Sequence, residues 1–466
     1  MPCVHSCSIP NRPNVINPHI HAMPAIPLLS HTEPDQIIAW RQGTAITARQ
    51  FLADVTQLAE RLPASQYVLN MCSDRYHFTV GMAASMLSNK VSLLPPSHTV
   101  EMVNQLKCYA SDVFCLSEHE QTSIALPHIA YPKTPALAAG VFTVPQIASE
   151  QCIAVVFTSG STGIPQPHPK TWGFVVNSVH AEAERLGLMG GEQTTLIGTV
   201  PPQHMYGLES TVLMALLSGN ALSDQQPFYP ADICQAIAAV PAPRVLISSP
   251  VHLRTLLDSE LQPAALALVV SATAPLSTEL ASALEARCQA PLMEIYGSTE
   301  TGLIATRRPT QGAEWQLLPG IRLITQGEQM YAASAHITPP IAMHDVIVPT
   351  SAECFLLHGR TADLVNIAGK RNSLANLNHQ LTSIPGVVDG AFYMPEETSK
   401  DHVTRLAAFV VAPELEASQL IAALRLRIDA VFLPRPLIFM DKLPRNPTGK
   451  LPRAALQNLY LSRSAA

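Results

Sequence analysis

Six consecutive residues, Thr158, Ser159, Gly160, Ser161, Thr162 and Gly163, carry only a hydroxyl or no side chain, and they follow directly on the apolar run 153–157. Such a segment packs a core poorly. It can instead present backbone N–H groups and several hydroxyls to an anion, with glycine letting the backbone close around it. A flexible Ser/Gly linker has a similar composition, but a linker is not expected straight after a buried strand. The segment runs on as IPQPHPK to Lys170. It is not a Walker loop, because G-x-x-x-x-G-K-[ST] occurs nowhere in the chain, and no G-x-G-x-x-G opens a helix after a first strand as a Rossmann dehydrogenase requires.

TSGSTGIPQPHPK resembles the phosphate loop of the acyl-adenylate-forming superfamily, the AMP-dependent synthetases and ligases, and the family's other motifs follow in order. YGSTETG, residues 296–302, is similar to the adenine and magnesium motif. The resemblance implies that Tyr296, followed by Gly297, stacks on adenine, Thr299 binds the α-phosphate and Glu300 helps to hold Mg²⁺. A carboxylate suits a hard cation bridging phosphates. SATAPL, residues 271–276, lies where the family sets a backbone turn against adenine, with Ala272 and Thr273 where glycines are common. Asp345, shortly before Gly359 and Arg360, resembles the ribose-binding aspartate and the hinge arginine that follows it; a carboxylate accepts well from two ribose hydroxyls. LPRNPTGK, residues 443–450, resembles the mobile loop whose lysine, here Lys450, touches the carboxylate and the α-phosphate as pyrophosphate leaves. His204 in PPQHMYG takes the place of a side chain at the acyl pocket.

The resemblance covers most of the chain, from near Ile26 to just beyond Lys450. It implies ATP and Mg²⁺ as cofactors, activation of a carboxylic acid to an acyl-adenylate, and transfer to a thiol of an acyl carrier protein or coenzyme A. Three places depart from the pattern. Pro165 is followed by Gln166 rather than Lys, leaving Lys170 as the nearest cation for the β/γ-phosphates; Ala362 stands where Asp or Lys is common; Arg371 is followed by Asn372 and Ser373 rather than Ile-Glu. These C-terminal changes bear on thiol transfer more than on adenylation, although Gly369, used for close approach of a pantetheine arm, is present. Amino-acid-activating relatives place an Asp in the pocket motif, because a buried ammonium needs a partner. Here 202–208 has no acid and Glu209 is the only one nearby, which favours a neutral aryl or acyl group. The phosphate-loop sequence is similar to that of AMP ligases of aryl-polyene and xanthomonadin-type pigment pathways. A second step other than thioester formation, such as lactone formation, and a non-catalytic nucleotide-binding role both stay open.

Elements must position these residues. Helix-like spacing at 48–62 and 77–87 alternates with strand-like runs at 66–71, 91–94, 153–157, 194–200, 244–247 and 267–270. Alternating βα units predict an α/β fold, with layered sheets in a large N-terminal domain and a smaller, mobile α+β C-terminal domain. The expected boundaries are a flexible extension at 1–24, an AMP-binding domain at 25–358, a hinge at 359–363 and the mobile domain at 364–466. Strand-like runs at 387–393 and 406–411 and a helix near 418–430 belong to the last.

With 466 residues the chain is too long for one small core. Its 47% hydrophobic content excludes disorder, while 14% charged residues and 40 prolines predict many loops. A formal net charge of −6 without a long Lys/Arg run excludes a nucleic-acid partner held through phosphates. No apolar stretch reaches the ~18–20 residues of a membrane span. The first residues lack the basic start and apolar run of a secretory signal. Nine dispersed cysteines without a C-x-x-C pair fit reduced thiols in the cytoplasm, and Cys3, His5 and Cys7 read as part of a disordered tail rather than a metal site.

Overall fold

The computed structural model describes residues 24–120, 124–138, 140–158, 165–327, 329–360, 364–367, 370–395, 405–446 and 449–464. The expected extension with Cys3, His5 and Cys7, the loop residues Ser159, Gly160, Ser161, Thr162 and Gly163, hinge residues 361–363 and Gly369 lie outside these.

Two large sheets form the bulk of the molecule. In the first, strands run in the order Gln166–Thr171, Cys152–Thr158, Val91–Leu94, Tyr67–Asn70, Val113–Ser117 and His128–Ala130. All pairs are parallel except the first, which is an antiparallel hairpin. The segment after the hydroxyl loop is therefore an edge strand, a position that tolerates Pro167 and Pro169. The second sheet has eleven strands. Its parallel middle includes Leu292–Ser298, Leu268–Ser271, Arg244–Ser248 and Thr195–Gly198, and one flank is antiparallel through Gly302–Arg307, Trp315–Leu317, Cys354–Arg360 and Asp345–Pro349. Buried runs such as LVVS and VLIS explain the middle, since parallel strands covered on both faces need no polar alternation.

Helix ends follow local chemistry. The Thr47 hydroxyl accepts from Gln50 N (3.2 Å) and starts helix Ala48–Ala59, which buries Phe51, Leu52, Val55 and Leu58. The spacing extended this helix to Leu62; it stops earlier because Pro63 disfavours helical backbone at the residue before it. Helix Arg75–Leu87 begins two residues ahead of the expected start because the Asp74 carboxylate accepts from Tyr76 N (2.8 Å) and His77 N (3.2 Å). Arg75, fully buried, ties this helix to the second sheet: its guanidinium donates to Gly198 O (2.8 Å), Val200 O (3.0 Å) and Thr211 Oγ1 (2.7 Å).

After residue 364, the hairpin of Leu364–Ile367 and Lys370–Ser373, helix Leu374–Thr382 and the sheet of Asp389–Tyr393, Ala407–Val411 and Leu437–Phe439 enclose a separate core around Leu377, Phe392, Val410 and Leu420. Helix Ala417–Arg425 ends short of 430, and Asp429 instead caps a 3₁₀ turn at Ala430–Phe432. Among the described residues every cysteine is a free thiol, and no helix is long and apolar enough to cross a membrane.

Glu118 braces the start of helix Arg75–Leu87, accepting from Ser73 N, Ser73 Oγ and Asp74 N and meeting His77 Nδ1 at 3.0 Å. Burial raises its pKa, but these partners outweigh burial and bring it to about 2. Its stabilisation is therefore complete above the ordinary carboxylate range and lost as pH falls through about 2. Glu118→Gln should lose about 2 kcal/mol at pH 7, as for hydrogen bonds to an ionised group. Urea denaturation at stepped pH should show the gap from wild type shrinking below pH ~4.5; a constant gap would assign the loss to packing.

Candidate active site

The end of the first sheet meets a turn of the second. Thr158 closes strand Cys152–Thr158, and its hydroxyl lies 2.9 Å from His168 Nε2 across the hairpin. His168 Nε2 is also 3.5 Å from Glu300 Oε1, and Lys170 Nζ donates to Glu300 O at 3.3 Å. Strand alternation explains this convergence: His168 and Lys170 sit two apart, so both side chains share the face turned to Glu300.

The turn carrying Thr299 and Glu300 joins antiparallel strands Leu292–Ser298 and Gly302–Arg307. Ser298 and Thr301 brace it, with Ser298 N donating to Thr301 Oγ1 (3.1 Å) and Thr301 N to Ser298 Oγ (3.2 Å). Gly297 is required there, because a Cβ would lie 2.3 Å from Gly302 O. Burial pushes the Glu300 pKa up, but its own backbone N–H, the Ser298 hydroxyl and the His168 and Lys170 charges together hold it below the usual range. An ionised, partly open carboxylate fits a divalent cation.

Tyr296 donates a hydrogen bond to Asp345, and its ring tilts against Trp315 (5.6 Å between centroids) and Phe355 (5.8 Å). Asp345 and Arg360, separated in sequence, lie opposite one another in the antiparallel pair of Asp345–Pro349 with Cys354–Arg360. Tyr296, Asp345 and Arg360 thus belong to one neighbourhood of the second sheet. Ala272 follows strand Leu268–Ser271, with its N–H donating to Ser248 O (3.4 Å), and Thr273 has φ +80°.

His204 starts a short helical turn, its Nδ1 accepting from Tyr206 N at 3.3 Å. Three residues on, Gly207 passes so close to the preceding backbone that a Cβ would lie 2.1 Å from Pro201 O. Burial, and then the charge of Lys450, bring the His204 pKa down to about 4, so the imidazole is neutral at pH 7. Lys450 is exposed and comes from the C-terminal part. Its loop is pinned by Arg445, which grips Asp389 through Nε (2.8 Å) and Nη2 (2.7 Å) and donates to Gly449 O (2.8 Å). Gly449, at φ +78°, packs against Val251 beside a cavity of about 260 Å³ lined by Phe228, Tyr229, His252 and Arg445.

The structure therefore groups Thr158, Lys170 and Glu300 with Thr299, pairs Tyr296 with Asp345, and sets His204 near Lys450. Sequence reasoning missed His168, which touches both Thr158 and Glu300; its place two residues before Lys170 on an edge strand was the available signal. It noticed Glu209 without seeing its setting. That residue is fully buried in a π-helical segment, Leu208–Leu213, close to Glu182 and Lys170.

A β-branched residue at φ +80° is strained by its Cβ, and glycine is not. Thr273→Gly should stabilise the fold by roughly 0.5–1 kcal/mol, the strain relieved less the extra backbone entropy of glycine. Chemical denaturation measures this directly; a loss of stability would show that the threonine's own contacts outweigh its strain.

Residues 30–332 match the family of AMP-binding enzymes. The chain is similar to 4-coumarate–CoA ligase of Rhodobacter capsulatus, 31% identical over 307 residues, covering 65% of this chain and 75% of that protein. It also resembles 4-chlorobenzoate–CoA ligase of an Arthrobacter species, 24% identical over 352 residues, covering 67% of this chain and 66% of that protein. Among solved structures, ATP-bound MatB from Rhodopseudomonas palustris superposes with a TM-score of 0.78 at 18% identity, covering 92% and 97% of the two chains. O-succinylbenzoate coenzyme A synthetase from Bacillus subtilis with AMP gives 0.76 at 17% identity, covering 91% and 96%. The fold is that of acyl-adenylating enzymes, and the chain belongs to the AMP-binding enzyme family.

Proposed function

We propose that this protein is an AMP-forming acid–thiol ligase that converts a carboxylic acid and ATP to an acyl-adenylate and pyrophosphate, then passes the acyl group to a pantetheine thiol. What carries the reading is the convergence of Thr158 and Glu300 on His168 at the end of one sheet, with the Lys450 charge acting on His204. In this reading Thr158 and the loop Ser159, Gly160, Ser161, Thr162 and Gly163 cradle the phosphates. Ala272 and Thr273 lie against adenine, Tyr296 with Gly297 supports it, and Asp345 and Arg360 take the ribose side. Glu300 would hold Mg²⁺, which supplies neutralisation of phosphate charge, and Thr299 faces the α-phosphate. Lys450 brings a compact cation to the carboxylate as it attacks the α-phosphorus, and neutral His204 forms part of the acyl pocket wall.

Residues 25–358 form the nucleotide-binding domain in this proposal, 359–363 the hinge, and 364–466 a domain that swings Lys450 away before thiol transfer. A neutral aryl or acyl acid is favoured over an amino acid: 202–208 has no carboxylate, and Glu209 is fully buried. The similar proteins named as aryl-acid CoA ligases support an aryl group. The phosphate-loop likeness to pigment-pathway AMP ligases points to a hydroxybenzoic-type acid, with an acyl carrier protein or coenzyme A as acceptor.

Acid-dependent ATP–pyrophosphate exchange across benzoic, hydroxybenzoic, cinnamic, fatty and amino acids tests adenylation and the acid class together. Exchange should appear with an aryl or acyl acid and be absent with amino acids; ATP binding without exchange for any acid would favour a non-catalytic role. Lys450→Ala should lower exchange by about 10²–10³, the range for removing one preorganised charge-stabilising group. Its melting temperature should hardly change, because Lys450 is exposed. Product analysis with and without a thiol separates thioester formation from a lactone-forming second step.

A further inference from the structure

Lys170 is an edge-strand residue, yet only 3% of it is exposed. Its ammonium lies 4.3 Å from the centre of the Phe174 ring and donates to the carbonyl of Glu300. Neither partner carries a full negative charge, and a buried cation without one is strongly disfavoured. The compensating charge comes from two carboxylates, Glu209 and Glu300. Glu209 is fully buried, and its carboxylate interacts with the Ser178 hydroxyl and with the Lys170 charge. It sits in the π-helical segment Leu208–Leu213, and such segments occur often at functional sites.

The same helix that supplies Phe174 also supports the far end of the Glu300 turn. A Cβ on Gly302 would lie 3.1 Å from both Phe174 Cζ and Ser178 Oγ, and Leu303 N donates to Ser178 Oγ at 3.4 Å. The turn is thus held from below by Lys170 and from behind by helix Trp172–Arg185, leaving the Glu300 carboxylate on its open side beside His168.

We propose that Lys170 is a positioning residue: it fixes the Glu300 turn through the main-chain carbonyl, with the Glu209 and Glu300 carboxylates attracting its ammonium, rather than touching the nucleotide phosphates. This rests on the reading of Glu300 as the magnesium ligand. Lys170 then acts in the place where the phosphate loop has Gln166 instead of lysine, but on the metal-binding turn and not on phosphate.

The test is the Mg²⁺ dependence of ATP binding by titration calorimetry, which needs no turnover, in wild type, Lys170→Met, Lys170→Arg and Lys170→Met/Glu209→Gln. The double variant removes both charges at similar volume, so a fold lost in Lys170→Met through an uncompensated carboxylate is restored. The Mg²⁺ concentration for half-maximal ATP binding should rise about tenfold in Lys170→Met and in the double variant, the effect of one lost charge-assisted hydrogen bond. Lys170→Arg, which can still reach the carbonyl, should recover most of it. A folded double variant with wild-type Mg²⁺ dependence would overturn the proposal. So would weaker ATP binding at saturating Mg²⁺ with an unchanged Mg²⁺ requirement, which would put the ammonium on the phosphates. A wild-type protein that binds Mg·ATP as expected but activates no acid would sink the functional reading and leave this positioning role standing.

Discussion

The guanidinium of Arg75 joins the two large sheets at a fully buried point. It enters from the first turn of helix Arg75–Leu87, which packs with the first sheet, and donates to two carbonyls at the end of strand Thr195–Gly198 in the second. Its other arm reaches Thr211, in the segment that carries Glu209. Burial lowers its pKa to about 10, against the pull of Asp224, so it stays charged at neutral pH. The planar fork suits this role, since it serves several acceptors in fixed directions where an ammonium would not. The space is filled to the atom: a Cβ at Gly198 would lie 2.8 Å from Thr211 Cγ2 and 2.9 Å from Arg75 Nη2. Any shift of the π-helical segment, and with it the acyl-side residues from His204 onward, must therefore move Arg75 as well.

Around the candidate site the chain accepts arrangements that stability alone would not select. Glu209 and Glu182 are both fully buried; burial, opposed by Lys170 and Ser178, raises Glu209 to about 7, and burial together with Glu209 raises Glu182 well above its usual range. Thr273 holds a left-handed backbone that suits glycine. Such departures from local preference cluster where geometry is fixed by something other than packing.

The sheets were legible because buried parallel strands read as short apolar runs between punctuation: 91–94 matches strand Val91–Leu94, and 153–157 lies within Cys152–Thr158. Helix ends were less legible, since they depend on single caps such as Asp74 and on single breakers such as Pro63. The candidate residues were legible as types and as an order, and the pairing of Asp345 with Arg360 gives their spacing a physical cause in a hairpin. The burial of Lys170 was not legible. Its neighbours Glu300 and Glu209 are far away in sequence, and proline-rich flanks read as loop rather than as an edge strand.

That edge strand has a further consequence. Pro165, Pro167 and Pro169 cannot donate, so the ladder to Cys152–Thr158 runs through the N–H groups of the residues between them. The prolines fall on the outward side, where an incoming chain would look for donors. That margin offers carbonyls alone and cannot template a seventh strand, so the sheet ends here by its own covalent structure. Along this edge the molecule is thereby kept from joining a second copy strand to strand in a crowded cell.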